Sequence, residues 1–203
     1  MFLGALFELL SILLIGSWIV MGYQVEVIQR VMRKDPTPLP EWDRLSEKLL
    51  RGIKLFLVSI VYYLPLVLIF IPFVFLIGLS SALHSHEIEA FSGFTLVSAV
   101  IFIVLPYVLF VSVLLPVIYL QFAKSERMGE ALNLAALLRF FKNNWQNVII
   151  LALIMLGVNI LSAVGVVFCI IGVFFTTFYA KLVSAHLTGQ LHLAAVESQG
   201  TPA

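Results

Sequence analysis

The charges of this chain fall in a few short stretches, and apolar runs of membrane-spanning length fill the space between them. A helix needs about 20 mostly apolar residues to cross a hydrocarbon core of about 30 Å. Residues 2–23, 55–79, 94–120, 148–164 and 166–187 form five such segments. With 62% of residues apolar, 11% charged and a mean hydropathy of +1.09, a water-soluble fold would lack the polar surface to cover them. The expected fold class is all-α: a polytopic transmembrane helix bundle of about five spans with two cytoplasmic amphipathic helices. One transmembrane domain is expected over residues 1–192, and a short flexible tail over 193–203.

Residues 1–23 lack a basic leader and a small-residue cleavage site, so they read as a retained span and not as a signal peptide. The last two apolar segments are separated only by Ala163-Val-Gly-Val166. Read as one helix they would extend about 60 Å at about 1.5 Å per residue, twice the hydrocarbon thickness. A hairpin turning at Gly165 is the favoured reading, and a single broken segment is the alternative.

Lys and Arg set the expected orientation. Arg30, Arg33, Lys34, Arg44, Lys48, Arg51 and Lys54 lie between the first two spans, and Lys124, Arg127, Arg139 and Lys142 between the third and fourth. The 80–93 loop has none. Cytoplasmic loops are enriched in these residues. The expected location is therefore the cell membrane, multi-pass, with the N-terminus outside and the C-terminus cytoplasmic. The remaining basic residue, Lys181, would snorkel from the inner end of span five.

Each basic segment holds a helix-period apolar pattern. In the first, Trp42, Leu45, Leu49, Ile53 and Phe56 would line one face, opposite Arg44, Glu47, Lys48, Arg51 and Lys54. In the second, Ala131, Leu134, Leu138, Phe141 and Trp145 follow the same spacing. Both read as interfacial helices carrying a Trp at headgroup level, or as docking faces for a partner or for anionic lipid. Upstream, Asp35-Pro-Thr-Pro-Leu-Pro40 repeats proline at every second position, which excludes helix and favours a stiff extended connector. The order of span, basic helix and span occurs twice with one orientation, as a parallel repeat would.

The stretches Gly22-Tyr-Gln-Val-Glu-Val-Ile-Gln-Arg-Val31, Pro38-Leu-Pro-Glu-Trp-Asp43, Arg51-Gly-Ile-Lys-Leu-Phe56 and Tyr63-Leu-Pro65 carry a family resemblance. So do Phe174-Phe-Thr-Thr-Phe-Tyr-Ala180 and Ala185-His-Leu-Thr-Gly-Gln190. Together they resemble a family of bacterial and archaeal membrane proteins, domain-of-unknown-function family 4013. The resemblance covers nearly the whole chain. It implies the membrane architecture, makes Glu41, Trp42 and Asp43 family-typical positions, and implies no activity.

Ionisable and polar groups within apolar runs are the candidate sites. Span five holds Tyr179, Lys181, His186 and Gln190, and span four holds Asn159. These read as hydrogen-bonding contacts between helices, with a substrate path as the rival reading. Glu8 lies close enough to the chain start to reach an interface. His84, His86, Glu87 and Glu89 lack an established ligand spacing, so no metal is expected. Cys169 is the single cysteine and reads as packing. The candidate interaction residues are Glu41, Trp42, Asp43, Arg51, Lys54 and Trp145.

A Ser/His/Asp set, HExxH, P-loop and GxGxxG are all absent from the sequence, so neither an enzyme nor a cofactor is expected. A net charge of +1 gives no reason to expect nucleic acid. The expected partners are the bilayer, anionic headgroups or a membrane-protein partner. The expected function is a non-enzymatic scaffold or accessory subunit of a membrane assembly. The alternative is a small transporter or permeation protein using kinked spans two and three and polar span five.

Overall fold

The computed structural model describes residues 15–83, 93–95, 97–164 and 170–200. Its described elements are helical: α1 (Ile15–Met32), α2 (Leu45–Leu83), a π-helical segment (Val100–Val104) leading into α3 (Leu105–Ser125), α4 (Met128–Ala131), α5 (Leu134–Asn143), α6 (Trp145–Val164) and α7 (Ile170–Gly200). Among the described residues, three helices are long and apolar enough to cross a membrane: Leu45–Pro72, Gly93–Ser125 and Trp145–Ser162. They coincide with the second, third and fourth expected spans.

The first and fifth expected spans stand differently. Residues 1–14 lie outside the described residues, and the rest of span one belongs to α1, which continues past Tyr23 through Gln24, Glu26, Gln29 and Arg30. Lys181, His186, Gln190 and His192 lower the hydropathy of α7 in the same way. Helix α7 also runs through the stretch expected as a tail, to Gly200, and buries Ala195. Lys181 therefore falls in the first half of its helix and not near its C-terminal end. Glu8, Cys169 and the His84–Glu89 cluster lie outside the described residues.

The chain divides into two compact units, Met1–Val58 with Val113–Ala203, and Ser59–Ser112. In the first unit α1 is the hub. Gly16, Ile19, Val20, every residue from Gly22 to Ile28, and Val31 are buried. A Cβ on Gly22 would collide with the Lys48 carbonyl, and one on Gly52 with the Trp18 carbonyl. This pairing brings the backbones of α1 and the start of α2 together, antiparallel. Close backbone approach of this kind supports association where lipid removes the hydrophobic driving force. On another side α7 runs parallel to α1: the Gln24 amide donates to the Lys181 carbonyl at 3.2 Å, and Val31 packs against Gly189.

Helices α6 and α7 pack antiparallel. Ser162 and Thr177 are hydrogen-bonded at 3.3 Å, and the Thr176 hydroxyl donates to the Ser162 carbonyl at 3.1 Å. Nearer the other end, Asn147 and Leu151 of α6 share a groove with Leu191 and Ala194 of α7. This is hairpin geometry, the favoured reading, although residues 165–169 lie outside the described residues.

The second unit is built from the apolar part of α2 and the helix entering α3. Pro65 and Pro72 lie inside α2, and Pro116 inside α3. Pro65 removes the amide that would bond the Val61 carbonyl. At the adjoining turn the Tyr107 hydroxyl donates to the Tyr62 carbonyl at 2.6 Å. Ahead of Pro106 the helix widens, and the Leu105 amide reaches back five residues to the Val100 carbonyl. Val61, Leu64, Leu68, Ile71, Phe75, Phe102 and Phe110 are all exposed, as lipid-facing residues of a membrane helix would be.

Candidate functional site: a charged clamp and an adjoining cavity

Helix α1 ends in a Schellman cap. The Asp35 amide bonds the Arg30 carbonyl at 3.0 Å and the Lys34 amide bonds the Val31 carbonyl at 2.9 Å, with Lys34 at φ 57°. The cap reverses the chain. The proline-rich connector then folds back along α1, so that the Tyr23 hydroxyl donates to the Pro40 carbonyl at 2.9 Å. Arg30 donates to the Thr37 carbonyl at 3.3 Å. The connector is non-helical, as its prolines require.

This return delivers Trp42 onto α1. Its ring stacks on Tyr23 with centroids 4.4 Å apart and planes 18° from parallel, and lies 5.8 Å from the Phe178 ring of α7. The expected placement of Trp42 at headgroup level on an amphipathic helix is thus replaced by packing on protein, because α2 begins only at Leu45. The buried face of that helix is also rotated from the expected stripe, though Leu49, Ile53 and Phe56 stay half-buried and Arg44, Glu47 and Lys54 exposed. Lys48, Gly52, Leu55 and Val58 point inward, while Leu45 is exposed. Two properties of the basic face decide this: Gly52 permits close approach, and Lys48 finds a buried carboxylate.

That carboxylate is Glu26. Its side chain is 8% exposed and lies 3.0 Å from the Lys48 ammonium, 3.3 Å from Arg30 and 3.8 Å from Arg51. Lys48, 1% exposed, also bonds the Asp43 carbonyl at 2.9 Å and the Asp43 carboxylate at 3.2 Å. The Lys48 hydrogen bond, together with Arg44, holds the Asp43 carboxyl below the ordinary carboxylate range. Arg51 extends the network to Glu126 just past α3, at 3.1 Å. Gln29 donates to that same carboxylate and to the Ala123 carbonyl, both at 2.9 Å. Side chains from α1, the connector, α2 and the end of α3 are thus joined by alternating charges. A buried carboxylate is tolerable only with such compensation.

Beside Glu126 lies a cavity of about 430 Å³ lined by Gln29, Met32, Arg33, Ala123, Lys124, Ser125, Glu126 and His192. The Lys124 ammonium sits over the Phe140 ring, 5.3 Å from its centroid. Burial, reinforced by the Lys124 charge, pushes His192 below the ordinary imidazole range.

The structure brings Trp42, Asp43 and Arg51 of the expected interaction set into or against the clamp, while Glu41, Lys54 and Trp145 are exposed. Asn159, His186 and Gln190, expected to bond between helices, bond within their own helices instead, each to a group one turn away. Asn159 donates to the Met155 carbonyl at 2.8 Å, and Gln190 lies 3.0 Å from His186. Tyr179 is exposed and Lys181 half-buried. An apolar cavity of about 310 Å³ lies between α6 and α7, lined by Val158, Phe175 and Tyr179 among others. Glu26, Gln29, Glu126 and His192 were absent from the expected site. A usable signal existed in the apolar run Val25, Val27, Ile28 and Val31, which carries the helix past Tyr23 and takes Glu26 with it.

A family model described as a protein of unknown function (DUF4013) matches residues 5–179. No curated protein and no solved structure matches the chain. The matched stretch contains the clamp residues Glu26, Lys48, Arg51 and Glu126 and the Tyr23–Trp42–Phe178 stack, whereas His192 lies beyond it. The chain belongs to the DUF4013 family.

Proposed function

We propose that this is a non-enzymatic integral membrane protein, a scaffold or accessory subunit of a membrane assembly in the cell membrane. The proposed orientation puts the basic clamp end in the cytoplasm, following the Lys/Arg asymmetry. The observation that carries this reading is how the polar side chains of α6 and α7 are engaged. Ser162, Thr176 and Thr177 bond one another across the helix pair, and Asn159 and Thr188 bond carbonyls of their own helices. The bonds of Ser162, Thr176 and Thr177 that cross the pair fix helix packing, while those of Asn159 and Thr188 only satisfy the side chains locally. The apolar cavity between α6 and α7 and the polar cavity beside Glu126 have no lining residue in common.

The rival reading, a small transporter, is favoured by the π-helical turn before Pro106 and by prolines inside two candidate spans. One experiment separates the two. Cysteines replace Thr177, Lys181 and Ser184 one at a time in a Cys169→Ala background, and a small hydrophilic thiol reagent is applied. The scaffold reading expects little reaction at any of them. Rapid modification at all three, with cysteines at 182 and 183 protected, would establish a water-filled path and overturn it.

A further inference from the structure

The cavity beside the clamp contains positive charge that the clamp does not neutralise. Arg33 and Lys124 both line it, and among the described residues neither has a carboxylate within ion-pair distance. Glu126 is the acid in the lining, and its carboxylate is already held by Arg51 and Gln29. His192 completes the wall from α7. Arg33 and Lys124 are both exposed at this cavity, so water screens part of their mutual repulsion, and an anion between them removes what remains.

The other lining groups suit the same occupant. Arg33 offers a planar fork of donors, and Lys124 has N–H groups that the Phe140 face cannot all accept. His192 adds a neutral donor, and so does Ser125 once its hydroxyl turns away from the Gln121 carbonyl, which it meets at a long 3.5 Å. Three features, forked donors, a point charge and small neutral donors, match a tetrahedral oxyanion. Lys124 and Ser125 form the last turn of the candidate span Gly93–Ser125, so the cavity opens at a helix end where a lipid phosphate would be found.

We propose that this cavity is a binding site for a phosphate-bearing anion, the chemistry shared by an anionic lipid headgroup and free inorganic phosphate. Arg33 and Lys124 supply the charge, and Ser125 and His192 the additional hydrogen bonds. The proposal does not depend on the scaffold reading, because a transporter could hold the same group.

The full chain, purified in an uncharged detergent, is titrated with phosphatidylglycerol in one arm and with inorganic phosphate in the other. Bound lipid is counted by native mass spectrometry, and the His192 imidazole is followed by NMR. A bound anion raises the His192 pKa against the lowering by burial and by the Lys124 charge; Arg33 and Glu126 line the same cavity. Arg33→Gln and Lys124→Gln should each weaken binding about tenfold or more, since a charged hydrogen bond contributes at that level. Lys124→Arg should restore most of it, and Lys142→Gln on the exposed face of α5 should change nothing. Retention of phosphatidylglycerol with these effects assigns the site to lipid. The same effects with phosphate alone assign it to a soluble anion. Binding of neither probe, an unmoved His192, or affinities indifferent to Arg33→Gln and Lys124→Gln would overturn the proposal.

Discussion

The Lys48 ammonium lies 3.0 Å from the Glu26 carboxylate, with only 1% and 8% of the two side chains exposed. The pair is asymmetric. Glu26 has two further cations, Arg30 and Arg51, whereas the other acid on Lys48 is the half-exposed Asp43. Removing Glu26 therefore strands a buried charge more completely than removing Lys48 does. Glu26→Gln should destabilise by about 3 kcal/mol or more, and Lys48→Met by distinctly less. The double variant should recover part of the loss. Thermal unfolding in a single detergent checks this, and equal losses from the two single variants would refute the asymmetry.

Glycine contacts give a second prediction. Gly52→Ala drives a methyl into the Trp18 carbonyl, which is backbone and cannot swing aside. Separating α1 from α2 to make room should cost about 2–3 kcal/mol, in the range of core overpacking. Gly157→Ala, where nothing lies within 4 Å, should be neutral or stabilise α6 by up to about 1 kcal/mol. Melting temperatures of the two variants should move in opposite directions or differ widely, and a harmless Gly52→Ala would contradict the close crossing.

Trp42 is next. Stacked on Tyr23, its indole is held by protein. In a Trp18→Phe, Trp145→Phe background, lipids brominated at shallow depth should quench its emission weakly. Trp42→Phe should keep most of the stack, while Trp42→Ala should destabilise by about 2 kcal/mol. Strong shallow quenching would return Trp42 to the headgroup layer.

Orientation is tested by labelling. With Cys169 replaced by alanine, Thr37→Cys should resist an impermeant thiol reagent in intact cells, and Ser85→Cys should react. The reverse pattern would invert the proposed topology.

The three candidate spans could be read from the sequence because length and hydropathy alone determine them. The clamp could not, since it depends on which way a connector folds. Asp35–Pro40 announces an extended segment, but nothing in its composition says that the Lys34 cap turns it back along α1 and sets Trp42 against Tyr23. Helical periodicity also misassigned the start of α2. It ranks faces by apolarity, and here Gly52 and an ion pair from a different helix outrank Leu45 and Leu49. In the second basic segment Leu134, Leu138 and Trp145 are exposed, whereas Ala131 of the same expected stripe is buried.

Helix α1 is enclosed on one side by α7, through Gln24 on the Lys181 carbonyl and Val31 on Gly189, across 157 residues of intervening chain at the first of these contacts. Translation produces the hub long before this part of its enclosure. Through most of synthesis, Gln24 and the adjoining face of α1 have no α7 to meet. The nascent protein must hold an unfinished helix at the membrane until the ribosome has passed Gly189. The docking of α7 onto α1 must therefore wait for α7, and a chain cut short before Lys181 would leave that face open to quality-control proteases.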